Sequence, residues 1–461
     1  MGAIITLSIL GILVLYLGLF KAKNALLPVT LLGLVVALGF AIVDWGKDAE
    51  PLYHGMVIFD RFALAFTILC ILVTGLTLLL SKEYFSHISG NIAEYYCLII
   101  FSLTGATLVN SYHNFAMLFI GIEIMSVALY ILAGIRKKDF ASNEAALKYF
   151  LMGAFSTGFL LFGITLLYGA TGTFDLEGLK SYVLSTEEIS PLFYAGILLL
   201  LSGLCFKVGA APFHFWTPDV YDGAPTLITI FMSTVVKVAS FAGFLRLFST
   251  VMVPLGDFWV PVLLTIIIIT LFVGNISALM QSSFKRMMAY SSVSHAGYML
   301  FAIVAIGNQS AGSIFTYATA YSLASIIAFG TLILVRKNMG SDLFESFNGL
   351  GKRNPFLAAI LTVAMFSLAG IPLTAGFIGK FMMFNNVMGV YNVILLVLAV
   401  VNAAIGVYYY LHVVVNMYFK SADDTATTTF QTPLNYTLVL TLAAILTIVI
   451  GIYPDCLIKL L

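Results

Sequence analysis

Charge is what this sequence has least of. Only 9% of its 461 residues are Asp, Glu, Lys or Arg, whereas a soluble domain carries roughly 25%. The 22 basic and 21 acidic residues nearly cancel, leaving a formal net charge of +1. No general attraction to nucleic acid follows from such a balance. Cysteine is scarce as well. Cys70, Cys97, Cys205 and Cys456 lie far apart in or beside apolar runs, and no CxxC occurs. Zinc and iron–sulfur frameworks are therefore unsupported, and these residues read as small buried hydrophobes. Phosphate-binding glycine loops, nucleophile constellations and flavin fingerprints are also missing. Nothing in the chain by itself points to redox chemistry or hydrolysis.

What the sequence has in abundance is apolar length. It is 61% hydrophobic, with a mean hydropathy of +1.05, which places it in a bilayer. The expected fold is an all-α polytopic membrane protein. Segments long enough to cross number about fourteen, at roughly 3–20, 25–43, 60–81, 93–110, 113–134, 143–170, 190–216, 226–248, 260–280, 287–306, 311–335, 354–388, 390–419 and 431–458. The first, "MGAIITLSILGILVLYLGLFKAK", has its lysines after the apolar stretch, so it reads as a span rather than a signal peptide. Pro212 and Pro372 fall inside two long segments, which are expected to be broken helices.

Basic residues orient the chain. Place the N-terminus outside and alternate the loops. Lys21, Lys23, Lys82, Arg136, Lys137, Lys138, Lys285, Arg286, Arg336, Lys337, Lys352, Arg353 and Lys420 then fall inside, and only Lys47, Arg61, Lys180, Arg246 and Lys459 outside. The positive-inside rule thus predicts both termini outside. Lys148, Lys207, Lys237 and Lys380 remain within spans. Lys148 is near a helix end and can snorkel; the others lie deeper.

Two stretches look alike: "VGAAPFHFW" (208–216) and "LAGIPLTAGF" (368–377). They occupy the seventh and twelfth segments, an odd separation, so the copies should run in opposite directions. That predicts an inverted repeat, residues 93–248 against 260–419, within one membrane domain spanning 1–461. Transporters place sites at such broken helices.

An ionisable group at mid-membrane costs on the order of 2.5–3.5 kcal/mol on insertion scales, so it must be paired, hydrated or useful. Five candidates stand out: Glu123 in "MLFIGIEIMSVALYIL", Lys207 before the Pro212 break, Lys237, His295 in "YSSVSHAGYML", and Lys380 after the Pro372 break. Ser291 and His295 share a helix face, and hydroxyls beside an imidazole suit a hydrated proton path. Carbonyls freed at the Pro212 break are expected to solvate Lys207, and Glu123 is expected within direct or one-water reach of it. Lys237, His295 and Lys380 should form one polar line. The chemistry implied is proton relay, because burial and a nearby carboxylate push a lysine in opposite directions. Each residue also has a structural reading, as a snorkelling group or a fixed ion pair. His214 and Asp219 read more simply as helix-end caps than as a proton port. His412, with Asn416 as its polar company, reads as a packing residue.

Three strings, "FKVGAAPFHFWTPDVYDGAPT" (206–226), "SSVSHAGYM" (291–299) and "FSLAGIPLTAGFIGKF" (366–381), together resemble the antiporter-like membrane subunits of respiratory complex I, a proton-translocating NADH–quinone oxidoreductase. Within that family "PDVYDGAPT", a lysine at 380 rather than a glutamate, and the short tail after the last segment are similar to the N-type branch. The resemblance implies that Glu123 tunes a channel lysine, Lys207. It makes Lys237 the connecting lysine and Lys380 the terminal lysine exchanging protons with the outer side. His295 lies on the axis between them. It further implies no cofactor or metal in this chain. NADH, FMN, iron–sulfur clusters and quinone would be bound by partner subunits, among them a sister antiporter-like subunit, in a bacterial inner membrane. Two other readings share the lysines: a subunit of a cation/proton antiporter, and a non-conducting scaffold.

Overall fold

The computed structural model describes residues 1–461 except 21, 48, 86–91, 308, 389, 392 and 422–429. Lys21, one of the residues used for orientation, lies outside the described residues. The described chain is helical apart from turns and isolated bridges, as expected where no water can satisfy an open backbone. The helices are α1 (Gly2–Leu19), α2 (Lys23–Asp44), α3 (Arg61–Leu79), α4 (Ser81–Phe85), α5 (Ile92–Ser111), α6 (Phe115–Ala133), α7 (Phe140–Thr171) and α8 (Leu176–Ser185). There follow α9 (Pro191–Val208), α10 (Trp216–Gly223), α11 (Thr226–Phe231), α12 (Lys237–Leu247), α13 (Gly256–Leu279), α14 (Phe284–Val304) and α15 (Ser310–Met339). The chain ends with α16 (Leu350–Arg353), α17 (Pro355–Ala369), α18 (Ala375–Val387), α19 (Val393–Phe419), α20 (Leu434–Ile452) and α21 (Asp455–Ile458).

Twelve helical stretches among the described residues are long and apolar enough to cross a membrane. The difference from the expected count lies in two places. Residues 226–248 and 260–280 belong to one run, Thr226–Leu279. It passes through a π-turn at Phe248–Met252 and a 3₁₀-turn at Val253–Leu255 instead of a loop. Residues 354–388 form two short helices, α17 and α18.

Side chains at the helix starts hold several of these elements. Asp60 caps α3 by accepting from Ala63 N–H at 2.8 Å, and Asn114 caps α6 through Ala116 N–H at 2.8 Å. Ser283 and Asn354 do the same for α14 and α17. Each satisfies an N–H that the first turn leaves without a partner.

The core lies around α14 and α15. Every residue of α15's most apolar stretch is buried within the protein, whereas α1, α2 and α19 expose apolar side chains along their lengths. Small residues let the inner helices approach closely. A Cβ on Gly105 of α5 would collide with the Met125 backbone nitrogen of α6, and one on Gly274 of α13 would meet Ser294 N of α14 at 2.6 Å.

Both proline segments are broken where the sequence predicts. Helix α9 ends at Gly209 (φ 75°) and α17 at Gly370 (φ 84°). The closing hydrogen bonds correspond one to one. Gly209 N–H donates to Phe206 O (3.1 Å) and Ala210 N–H to Cys205 O (2.9 Å). Gly370 N–H donates to Ser367 O (3.0 Å) and Ile371 N–H to Phe366 O (2.9 Å). Both are Schellman ends, which need the left-handed residue glycine supplies. A third irregularity is absent from the sequence reading: a π-turn at Met232–Val236, directly before Lys237.

Candidate functional site

Four of the five expected residues are nearly sealed inside the protein. Lys207 is 7% exposed, Lys237 4%, His295 2% and Lys380 6%. None of them faces the lipid side. Glu123 is half-buried, and among the described residues its Oε1 is enclosed without a hydrogen-bond partner.

Glu123 and Lys207 belong to α6 and α9. Among the described residues no ion pair within 4.0 Å joins them. Instead Lys207 Nζ donates to Ser126 Oγ at 2.9 Å. Ser126 lies one turn beyond Glu123 on the same helix face, and its hydroxyl donates to Ile122 O at 2.6 Å. A hydroxyl therefore stands where direct contact was expected. The carbonyls at the α9 break do not take the Lys207 ammonium either; two of them accept from Trp216 and Ala210. Trp216 Nε1 donates to Phe206 O (3.0 Å) and Ala210 N–H to Cys205 O. Thr270 of α13 holds the strand of chain within the break, accepting from Ala211 N–H at 2.9 Å.

At the second break the carbonyls do solvate a lysine. Lys380 Nζ donates to Leu368 O (2.7 Å) and Ala369 O (3.0 Å), the last carbonyls of α17. This is favourable placement of a cation at a helix C-terminus. Its Nζ also sits 5.2 Å from the centre of the Tyr298 ring.

Lys237 reaches α14. Its Nζ donates to both Ser292 O and Ser292 Oγ at 2.5 Å, and lies 5.4 Å from the Tyr321 ring centre. Between the two lysines stands His295. Its Nδ1 bonds the Tyr317 hydroxyl (2.7 Å) and its Nε2 the Tyr410 hydroxyl (3.0 Å), which in turn bonds Ser291 Oγ at 2.5 Å. The ring centres of Tyr321 and Tyr298 are 5.0 and 6.2 Å from the imidazole. Lys237, His295 and Lys380 are thus brought together through shared tyrosines: Tyr321 on one side, Tyr298 on the other. Among the described residues the hydroxyls of Tyr298 and Tyr321 make no close hydrogen bond. Glu123 and Lys207 form a separate cluster.

Sequence reasoning missed the tyrosines and Ser126 and Ser292. A signal existed. Tyr298 follows His295 by three residues, and Tyr317 and Tyr321 are four apart, so each set shares a face. Asp219 was expected as a cap, but is an ion-pair hub, bonded to Lys148 (2.8 Å) and Arg286 (3.0 Å). Lys148 also pairs with Glu144 at 2.8 Å. His214 is buried, and His412 packs on the Phe344 ring at 5.1 Å. Among the described residues no group of three or more His, Cys, Asp or Glu is arranged to hold a metal.

Residues 113–406, which contain both clusters, match the family described as "NADH:quinone oxidoreductase/Mrp antiporter, TM". The chain belongs to this family. The likeness extends well past the matched region. The protein named NADH-quinone oxidoreductase subunit N in Flavobacterium psychrophilum is 39% identical over 462 residues, covering all of both chains. The subunit of the same name in Cytophaga hutchinsonii is 40% identical, covering all of this chain and 99% of that one. Among solved structures, a chain of respiratory complex I from Thermus thermophilus, with bound aureothin, superposes with a TM-score of 0.84. It shows 33% identity and covers 99% of this chain and 98% of that one. The antiporter-like family is thus reached from the whole length of the sequence, and both breaks and all five candidate residues lie within the matched region.

Proposed function

We propose that this protein is a proton-translocating, antiporter-like membrane subunit of an NADH–quinone oxidoreductase. The observation that carries the reading is the buried Lys237–His295–Lys380 cluster, where two lysines meet one imidazole through tyrosine rings and every Nζ has a protein acceptor. Lys207 takes up a proton beside Ser126 under the influence of Glu123. Lys237 receives it on the far side of the π-turn. His295 and its tyrosine hydroxyls pass it towards Lys380, which releases it at the α17–α18 break. A tyrosine hydroxyl both donates and accepts, so it can hand a proton to an imidazole nitrogen without leaving its place. The driving force arises outside this chain. NADH, FMN, iron–sulfur clusters and quinone belong to partner subunits, including a sister antiporter-like subunit, and this chain itself carries no cofactor.

The matching hydrogen bonds at the two breaks support an inverted repeat built from residues 93–248 and 260–419. Clustering of basic side chains supports the orientation. Arg136, Lys137, Lys138, Arg336 and Lys337 line one cleft of about 1160 Å³. Lys47 and Arg61 line a different one, of about 460 Å³. The first side is the cytoplasmic side of a bacterial inner membrane, and both termini lie on the other. The family description also covers cation antiporters; identity of 39–40% over full length with subunits N favours the respiratory reading.

The test is proton uptake per NADH oxidised by the whole complex in vesicles. Lys237→Ala and Glu123→Gln are each expected to lower it while leaving assembly intact. Wild-type stoichiometry and rate in both would return the buried lysines to a structural role.

A further inference from the structure

Lys285 belongs, by its position in the sequence, to an inner loop. The structure buries it to 1% exposure. It is the second residue of α14, and its Nζ donates to Asp222 O (2.6 Å) and Ala224 O (2.7 Å), the carbonyls that close α10. Two helix ends act on this ammonium in opposite senses. The N-terminus of α14 disfavours a cation, and the carbonyl end of α10 favours one. Asp222 and Asp342 on one hand, and Arg336 and Arg136 on the other, are the charged groups whose fields reach it. The adjacent Arg286 is turned to Asp219 and Asp222, at 3.0 and 3.7 Å, where both partners are partly exposed. A water-facing ion network therefore touches the outer side of a sealed lysine.

On the inner side, Ser292 stands seven residues along α14 from Lys285. That is two turns on the same face, a rise of about 10 Å. Ser292 holds the ammonium of Lys237. Tyr221, one residue before Asp222 and itself buried, has its hydroxyl close to Ser292. Tyr221, Ser292 and Lys237 thus meet at α14, and Lys285 lies two turns away on the same helix face, beside the Asp219–Arg286 network.

We infer that Lys285 is a second proton-exchange group, at the cytoplasmic end of α14, which supplies Lys237 through Tyr221 and Ser292 alongside the Lys207 route. A proton from bulk water binds the neutral amine of Lys285. The ammonium gives a proton to these hydroxyls, and they deliver one to the neutral amine of Lys237. Lys237 then hands its proton on towards His295, so each group ends the cycle as it began, and no other reactant is consumed. The inference rests on the proton-translocating reading above.

The competing role is that of a fixed cap for α10, and arginine separates the two. Arg keeps the charge and the donors a cap needs, but it does not deprotonate in a protein. Lys285→Arg and Lys285→Gln are compared with Lys237→Ala in the whole complex. Assembly is followed by native electrophoresis, NADH oxidation with an artificial acceptor that bypasses the membrane arm, and proton uptake in vesicles. The expected result is assembled Lys285→Arg complex with wild-type artificial-acceptor activity and a loss of proton uptake. Wild-type uptake in Lys285→Arg overturns the inference, as does failure of both Lys285 variants to assemble. If Lys237→Ala itself pumps like wild type, the relay reading falls first. If Lys237→Ala fails and Lys285→Arg pumps normally, only the role of Lys285 falls.

Discussion

A buried ammonium has three N–H donors to satisfy, and the deep lysines do so unequally. Lys237 and Lys380 each donate to two protein oxygens, while Lys207 donates only to Ser126 among the described residues. Lys207 is therefore the lysine whose charge depends most on what else approaches. Glu123 is the carboxylate whose field reaches it. Removing the Ser126 hydroxyl takes away a hydrogen bond to a charged group, worth about 1.5–3 kcal/mol. Ser126→Ala is expected to lower proton uptake in the assembled complex, and Ser126→Thr, which keeps the hydroxyl, to restore most of it. Equal uptake in Ala and Thr variants would make the hydroxyl irrelevant. At His295, Tyr317→Phe leaves Nδ1 buried without its partner, a cost of about 1–3 kcal/mol. Uptake should fall without loss of the complex, and an unchanged rate would remove Tyr317 from the path.

The elements that carry these residues are irregular where the chemistry is. Lys207 ends a helix two residues before a left-handed glycine, Lys237 follows a π-turn, and Lys380 folds back onto the end of α17. Such interruptions often mark functional sites. Gly370 tests the last of them. An alanine there would pay about 1–2 kcal/mol for the left-handed conformation, and its Cβ would meet Lys380 Cδ at 2.9 Å. Gly370→Ala is expected to displace Lys380 and reduce proton uptake more than it reduces thermal stability of the purified complex. A stability loss with unchanged uptake would show that the contact is only structural. Both breaks were legible beforehand because proline and glycine act locally on the backbone. The five ionisable residues were legible because an apolar background makes each charge conspicuous. Their partners were not. Ser126, Ser292 and the tyrosines are unremarkable in sequence, and their roles come from packing between α6 and α9, and among α12, α14, α15 and α19. The π-turn before Lys237 has no breaker residue to announce it, and Lys285 looks like a loop charge until α10 is folded over it.

Across the whole molecule the two ends are held by different kinds of charge pairing. At the basic end Asp219 joins α7, α10 and α14 through Lys148 and Arg286, and each cation keeps a second carboxylate: Glu144 for Lys148, Asp222 for Arg286. These groups are 32–47% exposed, so water and salt screen them and one lost partner is partly replaced. At the opposite end Arg246, only 8% exposed, grips Asp60 with two hydrogen bonds, at 2.6 and 3.0 Å. The guanidinium also lies 4.9 Å from the Phe62 ring centre. Asp60 in turn caps α3, so this pair fixes α3 to α12, the helix that carries Lys237. Asp60 is 33% exposed, which moderates the interaction, and breaking it should cost about 1–3 kcal/mol. Lysine cannot reproduce the planar two-point grip or the stacking. Arg246→Lys is therefore expected to lower the thermal midpoint of the purified complex more than Asp219→Asn does. Raising the salt concentration should shrink the Asp219→Asn effect further while leaving most of the Arg246→Lys effect in place. The reverse ranking, or equal salt sensitivity of both, would mean that burial does not set the strength of these two anchors.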